Sequence, residues 1–405
     1  MRIVRSQSRL SFRRRRRRSG CLSFVIFMGV LVGVGALSSQ RIAVWLVAPR
    51  GDAANAALNA DQRRAAARAF AIGDLNGAIE SARAALSANP VDSGALAVLV
   101  RALIYRSYAD YDGAIDQELA LEAARDAYQL DPLDIDLQAV QAFALANIGD
   151  VAMGVDLAQR VLQHQPQNAL ARTAAGLAYT RAGNHALARR ELEQAVTDSA
   201  SYANGAFRLD ALRALALAQS NLGDYAAAGA TVEEALSLNN QILLLYFERA
   251  LYALQIGNTD AATVNYYEVL AIDPDNVKAR LRLCEVSSLL REHDQAVSYC
   301  LQVTERAPAW SEGWYRLGRE YFLGSDFSAA RDALHRCSSL QIMQAIPLRE
   351  RRFECWYLQG QTDEILGDCT GLIATYNEYR EMAASAQIQG SWEYPPEGPP
   401  MCIGH

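Results

Sequence analysis

Few residues in this chain are placed where chemistry could occur. Of seven cysteines, six (Cys284, Cys300, Cys337, Cys355, Cys369 and Cys402) fall in its last third. An even set of thiols forms disulfides in an oxidising compartment, whereas the same residues can equally serve as small buried hydrophobes. The five histidines (His164, His185, His293, His335 and His405) are scattered, and no two stand at metal-ligand spacing. The ending Cys402-Ile-Gly-His405 offers two donors, too few for a metal site. Glycine-rich phosphate loops and nucleophile elbows are missing, and adjacent acids such as Glu233 and Glu234 read as a solvated helix face. The sequence therefore predicts no enzyme, no metal and no cofactor.

The elements that hold these residues are helices. Apolar residues make up 51% of the 405, much of that alanine, with only 11 prolines. Alanine loses no side-chain entropy on entering a helix, and few stretches alternate with the period of two a strand needs. Charge is divided. Eleven of the 39 basic residues lie in residues 1–50 with no acid among them, which leaves 28 against 45 acids in the body. A body so acidic repels phosphate backbones, so no nucleic acid is expected as partner.

Arg13 to Arg18 precede the uncharged run CLSFVIFMGVLVGVGAL. Residues 1–20 read as a basic cytoplasmic segment and 21–48 as a transmembrane signal-anchor, with a cleaved signal peptide as the alternative. The arginine asymmetry predicts a single-pass cell-membrane protein with its N-terminus cytoplasmic and the body outside the cytoplasm. Gly29 and Gly33 have the spacing of a helix-dimerisation motif, so a homodimer through the span is a candidate.

The body repeats. FAIGDLNGA, ANIGDVAMG, LQIGNTDAA and LLREHDQAV align over a small-residue turn and a following alanine, each closed by a proline. Pro132 to Pro166, Gly223 to Gly257 and Pro274 to Pro308 are each 34 residues apart. Each unit reads as helix, Gly-Asp or Gly-Asn turn, helix and a proline-containing connector. With Trp314, Leu317, Gly318, Tyr321 and Ala330 in one unit, and Gly176, Tyr179, Gly183 and Ala188 in another, the chain resembles a tetratricopeptide repeat array. The expectation is an all-α solenoid of about nine helix-turn-helix units over 54–380, followed by a proline-rich, extended tail over 381–405.

That resemblance implies a concave face built from the first helix of each unit, on which a peptide or partner protein is held. In its register, the facing side chains are Phe143, Asn147, Thr173, Arg181, Arg213, Asn221, Phe247, Gln255, Glu285, Tyr315 and Arg319. Arg213 and Arg319 are expected there as surface residues whose removal leaves stability nearly unaltered. The same register pairs Cys284 with Cys300, Cys337 with Cys355 and Cys369 with Cys402, if the thiols are oxidised. Insertions near SYADYDGAIDQE and SASYANGAFRLD break the period and read as loops projecting from an edge. The alternative function is a structural subunit or assembly factor of a membrane complex, making contacts through its span and these insertions.

Overall fold

The computed structural model describes residues 53–201, 205–386, 392–395 and 399–402. The apolar run at 21–48, with Gly29 and Gly33, lies outside them. Eighteen α-helices follow one another in nine antiparallel pairs among the described residues. The first five pairs are α1 (Ala53–Ala71) with α2 (Leu75–Ala88), α3 (Ser93–Ser107) with α4 (Ala114–Leu130), α5 (Ile135–Ile148) with α6 (Val151–His164), α7 (Ala169–Arg181) with α8 (His185–Asp198), and α9 (Arg208–Asn221) with α10 (Tyr225–Leu238). The remaining four are α11 (Leu243–Gln255) with α12 (Thr259–Ile272), α13 (Val277–Leu289) with α14 (His293–Arg306), α15 (Ser311–Leu323) with α16 (Phe327–Met343), and α17 (Glu354–Leu366) with α18 (Cys369–Ala386). The protein is an all-helical solenoid.

Local chemistry sets each unit. Gly73, Gly183, Gly223, Gly257 and Gly367 end first helices at positive φ, a region closed to most L-residues. The next residue then caps the second helix: Asp74 accepts from Gly77 N, Asp224 from Ala227 N and Asn258 from Ala261 N. Arg291 and Ser325 hold the same left-handed position without being glycine, at φ 63° and 62°. Within a unit the two helices touch through small residues. A Cβ on Gly176 would sit 2.3 Å from Leu192, and one on Gly318 2.6 Å from Leu334.

Burial does not stop at the seams between units. One apolar core runs from Ala66 to Val286, joining Phe70, Tyr105, Phe143 and Phe247. Helix α3 is buried nearly all round, with 12 of its 15 residues inside. A first helix whose only neighbours were its own unit and the next would keep one face in water, so α3 must be covered from a third side.

Toward the end of the chain, sulfurs join adjacent helices and tie α18 to the tail. Cys284–Cys300, Cys337–Cys355 and Cys369–Cys402 are disulfide-bonded, with Cα atoms 5.5, 6.0 and 5.4 Å apart. The last helix runs on to Ala386, past the expected boundary at 380. Beyond it Trp392 folds back rather than extending away. It is buried against Tyr376 and Tyr379, with ring centroids 5.2 and 5.1 Å distant, and a Cβ on Gly360 would meet its indole. The aromatic ring thus covers the flank of α17 and α18, the last described helix pair.

Candidate functional site

The third neighbour of α3 is the opposite side of the same solenoid. Tyr105 and Arg101 on α3 reach Asp210 at the start of α9: the Tyr105 hydroxyl donates to Oδ1 at 3.1 Å, and Arg101 Nη2 lies 2.6 Å from Oδ2. All three side chains are buried. Arg101 also donates to the Ala206 carbonyl at 2.7 Å and lies over the Phe70 ring at 4.2 Å. One unit earlier in sequence, Phe70 and Ala71 at the end of α1 accept from Asn239 Nδ2 at 3.0 and 3.2 Å.

The contact continues through the insertion that follows α3. Asp110 accepts from the amides of Val277 and Lys278, at 3.2 and 2.9 Å, and so caps the N-terminus of α13. Asn276 Nδ2 donates to the Ala109 carbonyl at 3.0 Å, and Lys278 Nζ to that of Tyr108 at 2.5 Å. Tyr111 stacks on Trp310 with centroids 4.7 Å apart. Residues 108–111 thus lie across the starts of α13 and α15. Burial raises the Asp110 carboxyl above its usual range, against the pull of its amide donors. Burial and the nearby Arg282 lower the Lys278 ammonium to about 8. The insertion is therefore occupied within the chain, rather than projecting from an edge.

This closure bears on two of the expected groove residues, Arg213 and Phe247. Phe143, Thr173, Arg213, Phe247 and Tyr315 are buried. Arg213 pairs with Glu248 at 2.8 Å, and its guanidinium lies 5.6 Å from the Tyr105 ring and 5.7 Å from that of Tyr108. The expectation of a free surface arginine is corrected, because the superhelix brings the α3 end onto it. Phe247 lies under the Lys278 ammonium, 4.5 Å from its ring centre. Arg181, though exposed, caps α5 by donating to the carbonyls of Leu145, Ala146 and Gly149. Asn147 and Asn221 donate to carbonyls of their own helices, Phe143 and Leu217, both at 2.9 Å.

What stays open is the C-terminal half of the same first helices. Asn221 and Gln255 are exposed, and Glu285 and Arg319 half-buried. Beside them Leu289 and Leu323, in the register of Gln255, and Leu251, one turn earlier in the register of Glu285 and Arg319, are 66%, 46% and 48% exposed. A row of ion pairs runs beside them. Arg316 reaches Glu285 at 2.9 Å and Glu312 at 2.8 Å, and Arg352 reaches Glu312 at 2.6 Å. Tyr315 lies between those two guanidiniums, 5.4 and 4.5 Å from its ring centre. Sequence reasoning missed Tyr105, Asp110, Asp210, Lys278, Arg316 and Arg352. Helix α3, reading LAVLVRALIY without a polar stripe, carried the one signal that could have shown the closure.

Residues 209–242 and 253–319 each match a family profile described as Tetratricopeptide repeat. The chain carries tetratricopeptide repeats. Among curated proteins it is 26% identical over 231 residues to Protein CTR9 homolog of Arabidopsis thaliana, a match covering 54% of this chain but 21% of that protein. Among solved structures it resembles a chain of the APC/C hetero-tetramer Cut9-Hcn1, with TM-score 0.51 and 17% identity over 78% of this chain and 59% of that one. The C-terminal part of a TPR repeat-containing protein from Cytophaga hutchinsonii matches at TM-score 0.49 and 14% identity, over 61% of this chain and 96% of that one.

The cell-membrane location expected from residues 1–50 is corrected by these findings. Among the described residues no helix is long and apolar enough to cross a membrane, and the relative that the body matches, Protein CTR9 homolog, lends that placement no support. A solenoid of this kind implies protein partners, and nothing in the fold or the comparisons points to catalysis.

Proposed function

We propose that the protein is a non-catalytic scaffold that holds an extended segment of a partner protein along the C-terminal halves of α9, α11, α13 and α15. One observation carries this reading. The starts of α9, α13 and α15 are covered by the chain's own residues 101–111, whereas the ends of α11, α13 and α15 present Leu251, Leu289 and Leu323 to water, beside charged Glu285 and Arg319. An exposed leucine near the end of each of α11, α13 and α15, rimmed by charges, suits a partner segment with spaced apolar residues and polar flanks. The ion pairs of Arg316 and Arg352 hold the rim rigid, which lowers the ordering cost of binding.

Site-specific photo-crosslinking tests this. A photoreactive residue at Leu289 should capture a partner segment, and one at Tyr267, exposed on the second helix α12, should not. Changing Leu251, Leu289 and Leu323 together to glutamine should abolish co-purification of the captured protein while leaving Tm within a few degrees. Crosslinking from Tyr267 alone, or full retention of the partner by the triple variant, would move the interface elsewhere.

A further inference from the structure

A second site lies away from the concave face, between the second helices α16 and α18 above α17. A cleft of about 350 Å³ there is lined by Arg331, Asp332 and His335 from α16, Asp363 from α17, Asp368 from the turn before α18, and Glu378 from α18, among others. That volume falls at the small end of ligand pockets, about 300–1,000 Å³. Asp363 is the unusual member. It is 1% exposed, its Oδ1 has no hydrogen-bond partner, and its Oδ2 receives only a long 3.4 Å bond from the Thr375 hydroxyl. Arg331, Asp332, Asp368 and Glu378 are already engaged. Arg331 lies 3.6 Å from Asp332 and 3.8 Å from Asp368, and Glu378 accepts from the Trp356 indole at 3.0 Å.

A buried carboxylate oxygen without a donor is costly, and asparagine or threonine would fill the same space without a charge. Such groups persist where a ligand supplies the missing partner. Burial, then the neighbouring Asp368, pushes the Asp363 carboxyl up to about 6, so it is mostly ionised at neutral pH. Four acids face one arginine and one histidine around the cleft, which favours a cation over an anion.

We propose that this cleft binds one protonated amine or guanidinium, the side chain of a lysine or arginine on a partner protein, with its N–H donating to Asp363 Oδ1. The site is separate from the leucine row on α11, α13 and α15, so either can fail without the other.

The test uses the full chain with two probes, agmatine for the guanidinium and Nα-acetyl-lysine methylamide for the ammonium, followed by carbon-detected NMR of the Asp363 carboxyl. Either probe should lower the midpoint of its titration, and binding should weaken at least tenfold in Asp363→Asn. That variant should melt at or above the wild-type Tm, because it removes an unpaired buried charge. A lysine within a peptide binding at least tenfold more tightly than the free probe assigns the site to a partner's side chain. Equal binding of the two assigns it to a small-molecule amine and overturns the partner assignment. A titration midpoint unmoved by both probes, or a lower Tm in Asp363→Asn with probe binding intact, would show that the carboxylate is only structural and refute the site.

Discussion

Arg213→Ala is the most informative single change to the closed face. The arginine and Glu248 form an ion pair whose side chains are only 10% and 12% exposed, through Nη2 at 2.8 Å and Nε at 2.9 Å. Two tyrosines from the opposite turn, Tyr105 and Tyr108, cover the guanidinium. Removing the cation strands Glu248 in a site where burial already raises its carboxyl. Breaking a buried pair from one side costs about 3–5 kcal/mol, against less than about 0.5 kcal/mol for an ordinary surface change. Part of the loss is recovered when Glu248 takes a proton, so the deficit should be larger at pH 7 than at pH 5. Arg319→Ala is the internal control: its side chain is 37% exposed and its carboxylate partner Glu320 lies 3.7 Å away. Guanidinium denaturation followed by circular dichroism would give both midpoints. Adding Glu248→Ala to Arg213→Ala should cost less than the two single changes summed, since the stranded charge goes with it. Equal midpoints for Arg213→Ala and Arg319→Ala would refute the closed arrangement.

Three further outcomes follow from the packing. Ala330 is fully buried between α15 and α16, so Ala330→Leu should cost about 1–3 kcal/mol by overpacking, read as a lower denaturation midpoint. Lys278 is held at about 8 against 10.5 when free, so the unfolded chain carries more protons between those values; the stability of wild type relative to Lys278→Met should therefore rise as pH goes from 8 to 10.5, and a flat difference would mean the ammonium is solvated. Non-reducing peptide mapping should return the Cys284–Cys300, Cys337–Cys355 and Cys369–Cys402 pairs, and reduction should lower Tm, since closing a loop of 16 residues contributes about 3 kcal/mol; free thiols at Cys284 and Cys300 would make them plain core residues.

The helix pairs were legible because their signals are local. Gly223 and Asp224 sit beside each other in sequence and in space, and a turn needs nothing further away to form. The same holds for the small-residue contacts of Gly176 and Gly318, which meet partners on the next helix. The closure depends instead on rotation accumulated over many units. Tyr105 and Asp210 are 105 residues apart, and Asp110 and Lys278 168. No 34-residue pattern encodes that sum. Arg213 consequently looked like a groove residue, because its register position was right and its surroundings lay outside any local window. Asp363 was illegible for a related reason. On α17 it reads as one more solvated acid, and only α16 and α18 together remove it from water.

Amide hydrogen exchange at Val277 and Lys278 tests the closed superhelix most directly. These are the first two residues of α13, whose N–H groups have no partner within the helix and exchange freely in an open solenoid. Here Asp110, from the far side of the chain, accepts from both. The closed arrangement predicts that both amides are protected well beyond the free-peptide rate, and that Asp110→Ala removes this protection while the middle of α13 stays protected. Free exchange at Val277 and Lys278 in the wild-type protein would contradict it.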